Sequence, residues 1–194
     1  MDQGIKSRPH YSVLRLDPTG RRHLLLTDGP DVPAEACADA LPLAVDETWT
    51  VTASSEACLD PEPLGPGALA RTFRSVPQML ATLRTQLGRE KVGLRLYVAG
   101  TEAFLWDVDG VARAAGMGLG EIFLAHSGSK RRRVQCVHCK TMLEDVTTSI
   151  VPCPACGANL FVRDHFSRRL GAFQGVRVDA EVPGEVPAAE EIYR

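Results

Sequence analysis

Cys136-Val-His-Cys139 and Cys153-Pro-Ala-Cys156 form two Cys-x2-Cys motifs that are separated by thirteen residues. Each motif brings two thiolates towards one point, so two motifs that face each other complete a tetrahedral site of four sulfur atoms. Gly157 suits the positive φ that the turn after the last ligand often needs. The spacing predicts a closed, structural metal site whose ligands are Cys136, Cys139, Cys153 and Cys156. Zn(II) is the usual occupant of such a site, and iron is the alternative.

The residues around the two motifs predict short strands, at 133–135, 141–146, 150–151 and 159–163. Strands that cannot bury a sufficient core by themselves are commonly held by a metal. The sequence therefore predicts a zinc ribbon over residues 129–163, followed by an extension over residues 164–194 that contacts a partner. For the segment after residue 160, a strand and a short turn that fold back on the ribbon are the alternative. The acidic, proline-containing end from Val182 is expected to be extended and mobile by itself, with Ile192-Tyr193 free to dock on a partner.

Apolar runs alternate with helical patterns through residues 1–128. Strands are predicted at 11–16, 23–27, 49–53, 94–98 and 121–125, and helices at 76–87 and at about 102–115. Ser75 is a candidate N-cap for the first helix, and Gly88 and Gly116 follow the two helices. Because strands and helices alternate, the predicted fold class is α/β, with a Rossmann-like parallel-sheet N-terminal domain.

Charge is distributed unevenly along the chain, although the formal net charge is only -2. Residues 130–169 carry a net charge of +5 between acidic segments, which suits contact with an acidic partner or with phosphate. The candidates for partner contact are the run Lys130–Arg133 and the pair Arg168 and Arg169. No apolar run approaches the roughly 18 residues of a membrane helix, and the first residues lack the apolar core of a secretory signal. This indicates a cytoplasmic, reducing setting without a membrane partner.

The sequence predicts no catalytic residue and no cofactor-binding residue in this chain. It contains no H-E-x-x-H motif and no phosphate-binding P-loop. His138 lies inside the first cysteine motif, but four cysteines already complete the ligand set, so His138 is expected to face solvent. Cys37 and Cys58 lie far from any partner motif and are expected to act as small buried hydrophobes.

One part of the α/β region carries a resemblance to a known family. The run Arg95–Asp109, followed by Ala114–Gly116 and Glu121–Leu124, resembles the last part of the nicotinamide-binding domain of ferredoxin-reductase-like flavoprotein reductases. Those reductases bind the dinucleotide pyrophosphate on a glycine-rich turn after the first strand. The corresponding turn here, residues 27–31, contains two acidic residues and a proline. We therefore expect residues 1–128 to form a degenerate reductase-like domain that serves as a scaffold.

A second resemblance rests on the cysteine motifs together with 164–173 and 178–181. This pattern is similar to the small subunit of dimethylamine monooxygenase, a system that resembles the haem-dependent oxidative N-demethylase complexes. The resemblance implies a multi-subunit monooxygenase that demethylates a secondary amine with NAD(P)H and O2, giving a primary amine and formaldehyde. It also implies three partners: a haem-containing catalytic subunit, a flavin and iron–sulfur reductase subunit, and a folate-binding-like subunit. Haem, flavin and iron–sulfur centres would then lie on partner subunits, and this chain would be a non-catalytic subunit that assembles or positions them.

Two other functions stay open at this point. A rubredoxin-like electron-transfer subunit also holds one iron between paired cysteine motifs, but residues 140–152 contain no aromatic residue to shield an iron. A zinc-ribbon nucleic-acid-binding protein would place the basic segment against phosphates. The acidic net charge of the chain and the lack of an aromatic stacking platform disfavour nucleic acid as a partner.

Overall fold

The structure, a computed structural model, describes residues 7–38, 44–52 and 67–194. They form two compact units: the α/β unit, residues 11–128, and the ribbon unit, residues 129–194 together with residues 7–10. Ser7 joins the ribbon unit because its amide donates to the Asp164 carbonyl at 2.9 Å. The predicted domain of residues 1–128 is therefore wrong at its start, because residues 7–10 belong to the ribbon unit and the α/β unit begins at Tyr11. Cys58 and Ala53, the end of a predicted strand, lie outside the described residues.

In the described part of the chain, the α/β unit is built on a parallel sheet of five strands. The strands are β1 (Arg22–Thr27), β2 (Glu47–Val51), β3 (Leu69–Phe73), β4 (Leu94–Gly100) and β5 (Ile122–His126). The helices are α1 (Val76–Leu87) and α2 (Glu102–Ala114). The strand order is β3-β2-β1-β4-β5, and every neighbouring pair is parallel. This is the order of a doubly wound fold, so the predicted Rossmann-like α/β domain is confirmed.

Alternating side chains in β1 divide the core between the two faces of this sheet. Leu24 and Leu26 pack in the cluster that includes residues of both helices, whereas Leu25 packs in a second cluster on the other face. The predicted strand at 11–16 is wrong, since this segment forms only an isolated bridge from Leu14 to Cys37. Leu14 belongs to the second cluster, so its segment covers the sheet instead of extending it.

The sequence reading missed β3, the edge strand of the sheet. Leu69 is 60% exposed, and exposed and partly buried residues alternate along most of the strand. A strand with so few buried apolar residues gives a weak pattern. Helix α1, in contrast, begins as predicted, because the Ser75 hydroxyl accepts a hydrogen bond from the Gln78 amide. Within the described residues, no helix has the length and apolarity needed to cross a membrane.

A buried carboxylate ties three strands of this sheet together. Glu47 on β2 is 1% exposed and accepts hydrogen bonds from Trp49 Nε1 and from Arg22 Nη2 on β1, each at 2.6 Å. Arg71 Nε on β3 lies 3.1 Å from the same carboxylate. A buried charge is costly unless it is paired and hydrogen-bonded. These contacts therefore fix β1, β2 and β3 side by side.

The ribbon unit contains, in its described residues, a mixed sheet of five strands. They are β6 (Arg132–Cys136), β7 (Met142–Val146), β8 (Ile150–Pro152), β9 (Asn159–Ser167) and β10 (Ala172–Arg177). The order is β7-β6-β10-β9-β8, with β10 parallel to β6 and antiparallel to β9. The predicted boundary between residues 163 and 164 is wrong, because it falls inside β9. Strand β10, predicted to belong to a partner-binding extension, completes the middle of the sheet.

Replacing Glu47 by alanine is expected to destabilise the α/β unit by about 3 kcal/mol. The change leaves the Trp49 indole N–H without its acceptor and removes the carboxylate that Arg22 and Arg71 share. Both tryptophans of the chain, Trp49 and Trp106, lie in this unit. A urea titration followed by tryptophan fluorescence therefore measures its unfolding free energy.

The matched control for this experiment is Glu35→Ala, which removes an exposed carboxylate from the same unit. Exposed substitutions away from special contacts usually change stability by less than about 0.5 kcal/mol. If Glu47→Ala and Glu35→Ala shift the urea midpoint equally, Glu47 does not hold the three strands together.

Candidate functional site

The crevice outside the carboxyl ends of β1 and β4 is the first candidate site, since doubly wound proteins bind ligands where the strand order reverses. Asp28 follows β1 at this point, and its carboxylate accepts hydrogen bonds from the Thr101 amide at 3.0 Å and from the Thr101 hydroxyl. Thr101 is the N-cap residue of α2. A side-chain carboxylate thus occupies the helix N-terminus, where the dipole would otherwise attract a phosphate.

Gly100 makes this contact possible. Its φ is 155°, and a Cβ at this position would collide with the Asp28 carboxylate. The sequence indicated that the turn at residues 27–31 is acidic, but not that Asp28 accepts hydrogen bonds at the start of α2. Gly100, which ends β4 and immediately precedes the N-cap residue Thr101, was the signal in the sequence that could have indicated this contact.

A second group of side chains lies at the same edge of the sheet. The Tyr11 hydroxyl donates to Glu102 and accepts from Trp106 Nε1, both at 2.8 Å. The Tyr11 ring also stacks on His126, with 5.9 Å between ring centroids. Glu102 would place a negative charge beside a phosphate bound at this edge, and like charges repel. This favours the interpretation of the edge as a degenerate nucleotide site.

The second candidate site is the cysteine cluster formed by Cys136, Cys139, Cys153 and Cys156. All four sulfur atoms lie within 4.8 Å of one another. The Sγ atoms of Cys136 and Cys156 are 3.8 Å apart, and those of Cys139 and Cys153 are 3.5 Å apart. Thiolates bound tetrahedrally to a metal at about 2.3 Å lie about 3.8 Å from one another. The cluster therefore has the dimensions of a tetrahedral four-sulfur metal site.

Both motifs reach the cluster through the same kind of turn. Lys140 and Gly157 each follow the second cysteine of a motif and have φ values of 67° and 70°. Their amides donate to the carbonyls of Cys136 and Cys153, both at 2.9 Å. The positive φ expected at Gly157 is confirmed. Lys140 adopts the left-handed conformation at a cost of about 1–2 kcal/mol. The turn that brings the sulfur atoms together therefore imposes a backbone conformation that a lysine rarely adopts.

The ionisation of the thiols shows why the cluster suits a cation. Hydrogen bonds from Thr141 lower the pKa of Cys139 to about 6. The Ala158 amide lowers the pKa of Cys156, but desolvation and the neighbouring sulfurs outweigh it and raise the value to about 11. Four thiolates therefore do not form side by side unless a cation compensates their charge. Four protein ligands leave no open position, which is typical of a structural site.

The other titratable residues singled out from the sequence lie outside this cluster. His138 is exposed, as expected, and the cluster of metal-binding groups includes only the four cysteines among the described residues. Cys37 is buried, which raises the pKa of its thiol to about 11. Cys37 thus acts as the small buried hydrophobe that the sequence predicted.

Arg132, one of the predicted partner-contact residues, is buried inside the ribbon unit instead. Its guanidinium lies between the rings of Phe173 and Tyr193, 3.9 and 3.8 Å from their centroids. Its Nη2 donates to Asp164 at 2.8 Å. Arg132 shares one face of β6 with Val134, because alternate residues of that strand are buried. The prediction of a partner contact at Arg132 is therefore wrong, and alternation along β6 could have revealed this.

The remaining predicted contact residues are more accessible. Lys130 and Arg131 are exposed, whereas Arg133 is partly buried and donates to Glu144 at 2.7 Å. Arg168 and Arg169 are exposed in the turn between β9 and β10. The candidates for partner contact are therefore reduced to two exposed pairs, Lys130–Arg131 and Arg168–Arg169.

The end of the chain docks on its own unit, where Glu191 forms an antiparallel bridge with Thr148. The amides of Ile192 and Tyr193 donate to the Thr147 carbonyl at 3.0 and 2.9 Å. Tyr193 is 8% exposed, and burial raises the pKa of its hydroxyl. The expectation that Ile192-Tyr193 is free for a partner is therefore wrong for Tyr193.

Two family models match the chain. The model described as "Dimethylamine monooxygenase subunit DmmA-like, N-terminal domain" matches residues 3–122, and the model of the C-terminal domain of the same subunit matches residues 133–176. The chain belongs to the DmmA-like family of dimethylamine monooxygenase subunits. The family predicted from the cysteine motifs together with residues 164–173 and 178–181 is thus confirmed.

Single proteins also resemble the DmmA-like chain. The "Heme-dependent oxidative N-demethylase delta subunit" of Ectopseudomonas mendocina (strain ymp) is 45% identical over 111 residues, which cover 57% of this chain and 63% of that protein. The match thus spans less than two thirds of the length of the relative. A solved structure of phthalate dioxygenase reductase aligns with a TM-score of 0.39 and 15% identity, over 72% of this chain and 47% of that one. This likeness is too slight to assign a fold or an activity.

Loss of the metal is expected to unfold the ribbon unit and leave the α/β unit folded. Metal binding by thiolates stabilises only the folded form, and structural zinc sites contribute about 10 kcal/mol or more. Limited proteolysis with mass spectrometry after treatment with a chelator should show new cleavage within residues 130–177. Tryptophan fluorescence should stay unchanged, because both tryptophans lie in the α/β unit.

Cys136→Ser tests the same point without a chelator, and Cys37→Ala is its matched control. The first change removes one sulfur from the cluster, whereas the second removes a buried thiol of the α/β unit. Only Cys136→Ser should expose residues 130–177 to protease. A metal-free protein whose C-terminal half resists cleavage as well as the wild type would contradict the assignment.

Proposed function

We propose that this chain is a non-catalytic subunit of a multi-component monooxygenase that oxidatively N-demethylates a secondary amine such as dimethylamine. One amine, O2, NAD(P)H and a proton would give a primary amine, formaldehyde, NAD(P)+ and water. The chain would assemble or position the redox subunits and would not itself contact the reacting atoms. The observation that carries this proposal is membership of the DmmA-like family across both units.

The curated relative supports the multi-subunit part of the proposal. This relative is a delta subunit of a haem-dependent oxidative N-demethylase, and a delta subunit belongs to an enzyme of several subunits. The proposed partners are a haem-containing catalytic subunit, a flavin and iron–sulfur reductase subunit and a folate-binding-like subunit. Haem, flavin and iron–sulfur centres would lie on these partners.

The carboxyl edge of the α/β sheet supports a scaffold role. Asp28 occupies the helix N-terminus that a pyrophosphate would use, and it hydrogen-bonds Thr101 through both the amide and the hydroxyl. A bound dinucleotide would have to displace this carboxylate and leave it beside its own phosphates. The α/β unit is therefore proposed to be a degenerate reductase-like domain that does not use NAD(P)H itself.

We propose that the cysteine cluster holds Zn(II) and keeps the ribbon unit folded. Zinc accepts four thiolates tetrahedrally without a redox change. With the metal in place, the ribbon unit would present Arg168 and Arg169 on a fixed turn. These two exposed arginines are the proposed contact with an acidic surface of a partner subunit.

Affinity purification of the tagged chain from its native host is expected to bring down a haem protein and a flavin reductase, identified by mass spectrometry. The eluate should form formaldehyde from dimethylamine with NADPH and O2. The isolated chain should form none, because it contributes no group to the reaction. Amine turnover by the isolated chain, or an eluate without redox proteins, would overturn the proposal.

A pair of charge-reversed variants sharpens this purification. Arg168→Glu with Arg169→Glu is expected to lower recovery of the partners about tenfold, since each change replaces an attraction by a repulsion. Arg74→Glu with Arg84→Glu is the matched control, because it reverses two exposed arginines of the α/β unit. Equal recovery with both variants would remove Arg168 and Arg169 from the contact.

Elemental analysis of the full-length chain is expected to find one zinc ion per chain. The visible spectrum should contain no thiolate-to-iron bands. Cys156→Ser should lower the zinc content, whereas Cys37→Ala should leave it unchanged. A red protein with iron in the cluster would instead establish the rubredoxin-like electron-transfer alternative.

A further inference from the structure

A cavity of about 620 Å³ opens in the α/β unit at the amino edge of the sheet, the edge opposite to Asp28. We call it the amino-edge cavity. The starts of β1 and β4, the last turns of α1 and the loop between α1 and β4 contribute to its wall. Small-molecule sites usually have volumes of about 300–1,000 Å³. The charged residues of the wall are Arg21, Arg22, Arg71, Arg89, Glu90 and Lys91.

Cations are concentrated in this cavity beyond what the composition of the unit predicts. Residues 11–128 contain 10 lysines and arginines and 15 acidic residues. Half of those cations line the amino-edge cavity, together with a single acidic residue, Glu90. Although the α/β unit is acidic overall, half of its cationic residues lie in one cavity. A cavity lined by charges of one sign focuses the electrostatic field on the volume that a ligand would occupy.

Some of this charge is neutralised inside the protein. Arg22 pairs with Glu47 and with Glu90, and Arg71 pairs with Glu47. Arg21, Arg89 and Lys91 differ, since none of the described carboxylates lies within ion-pair distance of them. Three positive charges of the cavity wall thus have no protein counterion in the described part of the chain.

Backbone geometry holds one of these cations in place. Gly93 has a φ of 111°, and a Cβ there would lie 3.2–3.3 Å from three carbons of the Arg21 side chain. The Arg21 amide also donates to the Gly93 carbonyl at 2.8 Å. The aliphatic part of Arg21 therefore lies beside Gly93, whereas the residue as a whole is exposed at the cavity.

The dipole of α1 gives a competing explanation for part of this charge. Cations near the C-terminus of a helix stabilise it, and this accounts for Arg89. It does not account for Arg21, which lies at the start of β1, or for Lys91, which lies beyond the last turn. The accumulation of charge thus exceeds what the helix requires.

We propose that the amino-edge cavity binds a small molecule that carries a diphosphate group. Two linked phosphates bring about three negative charges at neutral pH, which matches the three cations without a counterion. Guanidinium groups bind phosphate oxygens through paired hydrogen bonds. Thr82 and Thr85 donate their hydroxyls to carbonyls of α1, at 3.0 and 3.1 Å, so recognition rests on the cations. This site does not depend on the proposed role of the chain in a monooxygenase.

Isothermal titration of the full-length, metal-loaded chain with inorganic pyrophosphate tests the proposal. Binding should be saturable, with one site per chain, and should weaken as sodium chloride is raised. Arg21→Ala with Arg89→Ala is expected to weaken binding about tenfold or more, since it removes two charge-assisted contacts. Arg168→Ala with Arg169→Ala removes the same charge from an exposed turn of the ribbon unit and should change binding less than about twofold.

Thermal unfolding followed by tryptophan fluorescence checks that the variants of the α/β unit fold, and limited proteolysis checks the Arg168 and Arg169 variant of the ribbon unit. Lys91→Gln, a single exposed substitution, provides a second test if the double variant is unstable, and it should also weaken binding. Inorganic phosphate should bind more weakly than pyrophosphate, since it carries fewer charges. The proposal is overturned by a lack of saturable pyrophosphate binding at millimolar concentration, by equal losses in the two double variants, or by a preference for a polyglutamate peptide over pyrophosphate.

Discussion

Four sulfur atoms within 4.8 Å of one another are the constraint on which the ribbon unit depends. One motif lies in the turn between β6 and β7 and the other between β8 and β9, so an ion bound by all four sulfur atoms would join hairpins at opposite sides of the sheet. Strand β10 runs between these hairpins, and Gly175 accepts a hydrogen bond from the Val137 amide at 3.0 Å. A sheet this small buries too little apolar surface to fix its own register. The sulfur atoms therefore decide which strands become neighbours.

Buried ionic groups add specificity that the apolar core does not supply. Arg132 is enclosed between Phe173 and Tyr193 and is paired with Asp164, which also pairs with Arg8. Burial raises the pKa of Asp164, but Arg8 and Arg132 outweigh this effect and lower it. The ends of the described chain are thus drawn to one polar centre, and apolar surfaces of the same shape would not have distinguished this arrangement from others.

Features that depend on residues close together in the sequence could be predicted from it. Features that depend on contacts between residues far apart in the sequence could not. Ser75 capped α1 as predicted, because this contact joins residues three positions apart. The four sulfur atoms were placed together because each motif pairs cysteines three positions apart, and two such motifs form a known type of metal site. Strand β10, which folds back on the ribbon, was only the alternative to a partner-binding extension, and Gly175 lies in its centre. In the sheet, a Cβ at this position would lie 2.8 Å from Val134 and 3.0 Å from Leu160. The close approach of β6 and β9 explains why position 175 requires a glycine. The position of Tyr193 was predicted wrongly for a similar reason, because its contact Arg132 lies some sixty residues away in the sequence.

The two edges of the parallel sheet carry opposite charges, and their positions bear on what the α/β unit does. In a parallel sheet the N-termini of the helices point to the carboxyl edge, so anions are attracted there by default. Here the Asp28 carboxylate occupies that position by accepting hydrogen bonds from Thr101. The cations without a counterion among the described residues, in contrast, line the amino edge: Arg21, Arg89 and Lys91. A ligand that carries phosphate would therefore be attracted more strongly to the amino edge, where these cations line a cavity, than to the carboxyl edge, where Asp28 already accepts the hydrogen bonds of Thr101.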